Sequence, residues 1–171
     1  WSSLVGSEMC IRDSNNVVTS GMVMSAAILV GLSRKILDLA TAYTLDRKQF
    51  GKPIGSFQAV KHMLAQAAIE IEFSKATLYR AAYSLDNDNP LQKLHAAQAK
   101  LQAIDACEMA SRNSMQAHGA MGYTWEMDLH IFIRRGWSYK QVWGNKSLLE
   151  NYIMNQLEKD LPKLGSTYTF L

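Results

Sequence analysis

Apolar residues recur along this chain at spacings of three and four, the period of an α-helix. The clearest run is Phe57, Val60, Leu64, Ala67, Ile71, Ser74, Leu78, Ala81 and Leu85. It forms one continuous seam, with Lys61, Glu72 and Lys75 on the opposite face, and predicts a helix from Phe57 to about Leu85. Before it, Val23, Ala27, Val30, Leu37, Ala40 and Thr44 predict a helix over about 20–47, capped by Thr19 or Ser20. Gly31 in that helix is a candidate close crossing. Asp86 to Pro90 supplies turn formers and a proline suited to the start of a third helix, about 90–118. Leu94, Ala97, Leu101, Ile104, Ser111, Met115 and His118 mark its apolar face, and its many alanines make it narrow. A fourth helix is expected over about 127–143, and a fifth over about 146–161, ended by Pro162. The fold class is therefore all-α, an antiparallel up-and-down helical bundle.

Composition narrows the picture. The chain has 171 residues, 48% hydrophobic and 19% charged, which suits one soluble domain with its own core. A net charge of +3 without a basic stripe gives no reason to expect nucleic acid. No apolar run suggests the ~20 residues of a membrane span. Cys10 and Cys107 are too few for a disulfide scaffold or a metal cluster, so a reducing, cytoplasmic setting and no metal are expected. Residues 1–14 lack both helical period and signal-peptide pattern. They resemble translated adapter sequence, and the natural domain is expected to occupy 15–171.

Two stretches carry candidate chemistry. The first, Asp46 to Gln58, packs three cations, two glycines, a proline and two aromatic residues into one helix connection. Ordinary connections are short and polar. Arg47 and Lys48 suit the C-terminal end of a helix, so capping is one reading, and a pocket for an anionic ligand is the other. Ser56 is placed to cap the next helix. The second stretch, Gln116 to Glu126, holds Gly119 and Gly122 where the third helix must stop. Arg134 and Arg135 are adjacent and cannot share a helix face; one is expected in an internal ion pair. Cys107 reads as a small core residue.

The first stretch, Arg-x-Gln-Phe-Gly-Lys-Pro-Ile-x-Ser-Phe-Gln, resembles the signature of the acyl-CoA dehydrogenase C-terminal helical domain. The second, Gln-x-His-Gly-x-x-Gly-Tyr-Thr-x-Glu, resembles that family's Gln-x-x-Gly-Gly-x-Gly-Tyr loop, with Ala120 in place of the second glycine. The resemblance implies FAD as cofactor, reached across a subunit interface by Arg47, Gln58 and Gln116, with Phe50 packed near the nucleotide and Gly119 and Gly122 letting backbone approach it. It also implies an acyl-CoA substrate, a homo- or heterotetramer and an electron-transfer flavoprotein as acceptor. It covers about 20–157 and corresponds to only the last of the family's three domains. The chain is thus expected to be a fragment, inactive alone.

Family chemistry needs a Glu to remove the α proton of the thioester while a hydride leaves the β carbon. Its usual place, a Tyr-Glu-Gly-Thr motif, aligns with Val142-Trp143-Gly144-Asn145, which puts Trp143 at the base position. No carboxylate lies between Asp128 and Glu150. The family's alternative position falls near Gly21, and no carboxylate lies between Asp13 and Asp38. No catalytic residue is identified; His118 or His130 would depart from the family's chemistry. Trp125 to Arg135 resembles heteromeric dehydrogenases of steroid side-chain degradation, in which one subunit type keeps the base. The other class of reading is a helical oligomerisation module with no cofactor or catalytic role.

Overall fold

The computed structural model describes residues 2–159, with side chains for residues 13–158. Five helices dominate: α1 (Ser2–Asp46), α2 (Gln58–Asp86), α3 (Gln92–His118), α4 (Leu129–Gln141) and α5 (Lys146–Lys159). The expected helices are all present, and the chain is the helical bundle that the periodicity predicts. The fifth helix's expected end at Leu161 and the tail lie outside the described residues.

Cross-helix contacts fix the directions. Gly55, just before α2, lies against Thr44 near the end of α1. Asn113 Nδ2, late in α3, donates to Met63 O, early in α2, at 2.7 Å. Tyr43 stacks on His118, with both helices near their ends. So α1 and α2 run antiparallel, α2 and α3 run antiparallel, and α1 and α3 run parallel.

α3 is the central helix and packs against all four others. Sequence reading gave it one apolar face. In the fold it is buried nearly all round, because Ala96, Ala97, Ala99, Ala103, Ala106 and Ala110 let neighbours close in from every side. The α2 seam lies inward as expected, with Ala67, Ile71, Ser74 and Ala81 buried. One core region joins Met22, Ala26, Leu29 and Val30 of α1 to α3, Ala81 and Leu149. A second joins Ile36 and Leu37 to Ala67, Ile71, Leu129 and Ile133. Ile69, Phe73, Tyr79 and Tyr83 leave an apolar outer face on α2.

Several local expectations need correction. α1 does not begin at a Thr19 or Ser20 cap. It is already helical from Ser2 onward, and Thr19 Oγ1 instead donates back to Asn15 O at 2.8 Å. Ala27 is exposed, while Ala26 and Leu29 face inward, a shift in the α1 face. Gly31 has open space around it; the close approach is at Gly21. Ser56 does not cap α2, since Phe57 is the N-cap and Ser56 Oγ donates to Pro53 O. Neither Arg134 nor Arg135 forms an ion pair among the described residues; Arg134 lies over the Trp125 ring at 5.1 Å. α1 over Asp13–Asp46 is also long and apolar enough, at mean hydropathy 1.6, to cross a membrane by composition. That apolarity serves the bundle: its inward residues form the core just described.

Candidate cofactor-facing site

The connection between α1 and α2 is built as a small hairpin that sequence reading missed. β1 (Lys48–Gln49) pairs antiparallel with β2 (Lys52–Pro53). Phe50 and Gly51 form its tip with φ of +53° and +79°. Two successive positive φ angles are what a tight type I′ hairpin turn needs. Glycine accepts this freely, but an aromatic residue does so only under strain. Phe50 is held at the tip 89% exposed, with an edge-on contact to Phe57. Gly55 then lets the chain return onto α1, because a Cβ there would sit 3.1 Å from Thr44 O.

At the other side, α3 stops at Gly119, whose φ of +60° and ψ of −137° suit glycine alone. A 3-10 turn, Gly119–Tyr123, follows. Gly122 is buried under it: a Cβ would come 2.7 Å from Met115 Sδ, so this glycine serves packing.

These two connections meet. Tyr43, Arg47, Gln49, Gln116, His118 and Gly119 are among the residues lining one cleft of about 300 Å³. Arg47 and Gln116 are exposed. Arg47 has no ion-pair partner among the described residues. His118 forms the cleft's back. Its ring stacks on Tyr43 at 4.3 Å, and its Nδ1 donates to Ser114 O at 2.8 Å. The other ring nitrogen, Nε2, is buried without a partner. Of the expected site residues, the fold therefore brings Arg47, Gln116 and Gly119 together. Phe50 and Gln58 lie on the same connection but do not line the cleft, and Gln58 Oε1 is 3.2 Å from His62 Nε2. Tyr43 was missed; it resembles any half-buried aromatic until its stacking on His118 is seen.

Trp143 lies elsewhere, between α4 and α5. It too has positive φ, +61°, and Gly144 follows at +118°. A Cβ on Gly21 would fall 2.4 Å from Trp143 Cδ2 and 2.5 Å from Cε2. Those are the ring-fusion atoms, so the indole lies face-on against α1. The two positions considered for a base are thus in contact, and one is a ring seated on the other.

A family model described as "Acyl-CoA dehydrogenase, C-terminal domain" matches residues 14–158. The chain belongs to the acyl-CoA dehydrogenase family. It is 39% identical over 114 residues to the probable acyl-CoA dehydrogenase YngJ of Bacillus subtilis, covering 67% of this chain and 30% of that protein. Glutaryl-coenzyme A dehydrogenase, solved as its glutaryl-CoA complex, superposes with a TM-score of 0.79 at 32% identity, over 87% of this chain and 38% of that one. A Tcur3481–Tcur3483 steroid ACAD superposes with a TM-score of 0.76 at 26% identity, over 81% and 38%. The chain spans well under half the length of these acyl-CoA dehydrogenase relatives.

Proposed function

We propose that this chain is the C-terminal, FAD-contacting domain of an acyl-CoA dehydrogenase, from a subunit without its own catalytic Glu. The observation that carries the cofactor part is the cleft in which Arg47, Gln116 and Gly119 converge. A guanidinium without an internal partner suits pyrophosphate oxygens, which it can grip by paired hydrogen bonds. An exposed amide and a glycine with open space at its Cβ position suit a flat or extended group laid against backbone. The donor set therefore fits FAD. Arg47 would hold its charged middle, Gln116 and the backbone at Gly119 would hold an adjoining part, and Phe50 and Gln58 would reach it from the rest of the connection. When bound, FAD supplies the hydride acceptor.

The same residues argue against a plain oligomerisation module. Such a module has no use for an unpaired arginine beside a glycine-limited turn. The exposed apolar face of α2 supports an assembly of subunits, and the fragmentary length supports a larger parent. The proposed neighbours are a like or unlike subunit of a tetramer, the acyl-CoA substrate through the full-length enzyme, and an electron-transfer flavoprotein.

For proton abstraction this chain offers an indole and a glycine at the two positions where the family keeps its base. Neither can take a proton. The seat of Trp143 on Gly21 also leaves no room for a side chain at 21. The base would then come from a second subunit type, as the likeness to a two-component steroid ACAD suggests.

The test is flavin content in the full-length parent, expressed alone and with its neighbouring reading frame. Arg47→Ala should lower bound FAD strongly while the far-UV CD melt stays within a few degrees. Equal flavin in variant and wild type would remove Arg47 from the site. Bleaching of the flavin by acyl-CoA in the lone subunit would show that it has a base after all.

A further inference from the structure

Lys100 is the largest fully buried side chain in the described core. Lysine is almost never fully buried unless paired with a carboxylate. Here it has none. The nearby carboxylates of α3 are engaged elsewhere, Asp105 with Lys146 at 2.5 Å and Glu108 with Lys140. Lys100 Nζ instead donates to Tyr139 O at 2.5 Å.

Tyr139 stands in the last turn of α4, where carbonyls have no helical donors left. An ammonium at this point closes the negative end of the α4 dipole from inside the core. Four residues later comes Trp143, in its left-handed conformation, with its indole against Gly21. A strained residue persists only where its surroundings over-determine it. On the far side the loop is held by Leu149, 3.2 Å from where a Cβ on Gly144 would be, and by Asn145 Oδ1, which accepts from Leu148 N at 3.0 Å. On the near side the corresponding brace is Lys100.

We propose that Lys100 is a positioning residue: its ammonium, by holding the Tyr139 carbonyl, fixes the end of α4 and so the seat of the Trp143 indole on α1. Its bearing on catalysis rests on the reading of Trp143 given above; the coupling inside the fold does not. Burial lowers the Lys100 pKa to about 8, so the brace weakens as pH rises through that value. The shifts of the other perturbed groups run away from that value. Cys107, the one ionisable group whose charge bears on Lys100, is raised by its own burial. Tyr152 of α5 is raised by burial, and Lys146 of α5 is raised by its bond to Asp105. His95, earlier on α3, is lowered by burial. Lys140 of α4 is paired with Glu108. No ionisable group of α1 or α2 perturbs it.

The experiment is fluorine NMR on the 171-residue chain labelled with 5-fluorotryptophan, followed from pH 6.5 to 9.5. The Trp143 signal is assigned by its loss in Trp143→Phe, and added trifluoroacetate serves as the reference. Trp143 should shift with a midpoint near pH 8. Lys100→Met should abolish that titration, and Lys100→Arg, which keeps its charge, should hold the signal at its low-pH position. A flat Trp143 signal in the wild type overturns the proposal, as does a midpoint that survives in Lys100→Met. The wild-type titration decides the matter even if a variant fails to fold. It is also independent of flavin, so its failure is distinct from failure of the cofactor reading.

Discussion

Two glycines of α1 should respond to the same substitution with opposite signs. Glycine inside a helix costs about 1 kcal/mol relative to alanine, through backbone entropy. At Gly31 a Cβ meets nothing within 4 Å, so Gly31→Ala should stabilise by roughly 0.5–1 kcal/mol. At Gly21 the same Cβ would lie 2.4–2.8 Å from Cδ2, Cε2 and Cγ of Trp143, closer than carbon atoms pack. The indole must lift, losing its burial against α1 and loosening a strained loop. Overpacking of this kind costs about 1–3 kcal/mol, which exceeds the helix gain. The two variants should then differ by about 2 kcal/mol, or roughly 4–8 °C in Tm for a chain of this size. Differential scanning fluorimetry on both variants, checked by urea denaturation, reads this directly. Equal stabilisation by both substitutions would refute the face-on seat of Trp143, and with it the claim that the two base positions are closed against each other.

Other outcomes follow from single contacts. Gly119→Ala has room for its methyl group but not the backbone angles, so it should cost about 1–3 kcal/mol in the melt and lower flavin content in the parent. Asn113→Ala removes the 2.7 Å bond to Met63 O between α3 and α2, and should cost about 1–2 kcal/mol in urea denaturation. For Lys100 the native pKa of about 8 lies below the unfolded value of 10.5. Between those values the unfolded chain binds more protons, so stability should rise with pH from about 8 to 10.5. Lys100→Met should remove that slope. The neutral amine is easier to bury but a poorer partner for the Tyr139 carbonyl, so global stability and the seat of Trp143 should move in opposite directions.

The helices were legible because each has an apolar face with a regular period, and Phe57 to Leu85 shows it most plainly. The two glycine-bearing connections were legible as chemistry because their residue types are wasteful for plain turns. What could not be read was where backbone leaves the common angles. The Phe50–Gly51 tip lacks the Asn-Gly or Asp-Gly pair that announces a type I′ turn. The burial of Lys100 was hidden because a lysine among alanines looks like a solvated position until the bundle closes over it. Gly21 and Gly31 look alike in sequence, and only the indole arriving from 122 residues away separates them. Thr19, read as a cap, proved to be a mid-helix hydroxyl bonded to its own preceding turn.

Gly21 and Asp46, the last residue of α1 and the one before Arg47, stand 25 positions apart in one unbroken helix, which is about 38 Å along its axis. That is far longer than one dinucleotide can bridge. On the proposed function, the cofactor contact therefore sits at one end of this rod, and the Trp143 seat at the other end lies beyond the reach of the same dinucleotide. Defects at the two ends should then be genetically separable. Arg47→Ala should lower flavin content in the parent and leave the Trp143 fluorine signal in place, whereas Gly21→Ala should move that signal and leave flavin content unchanged.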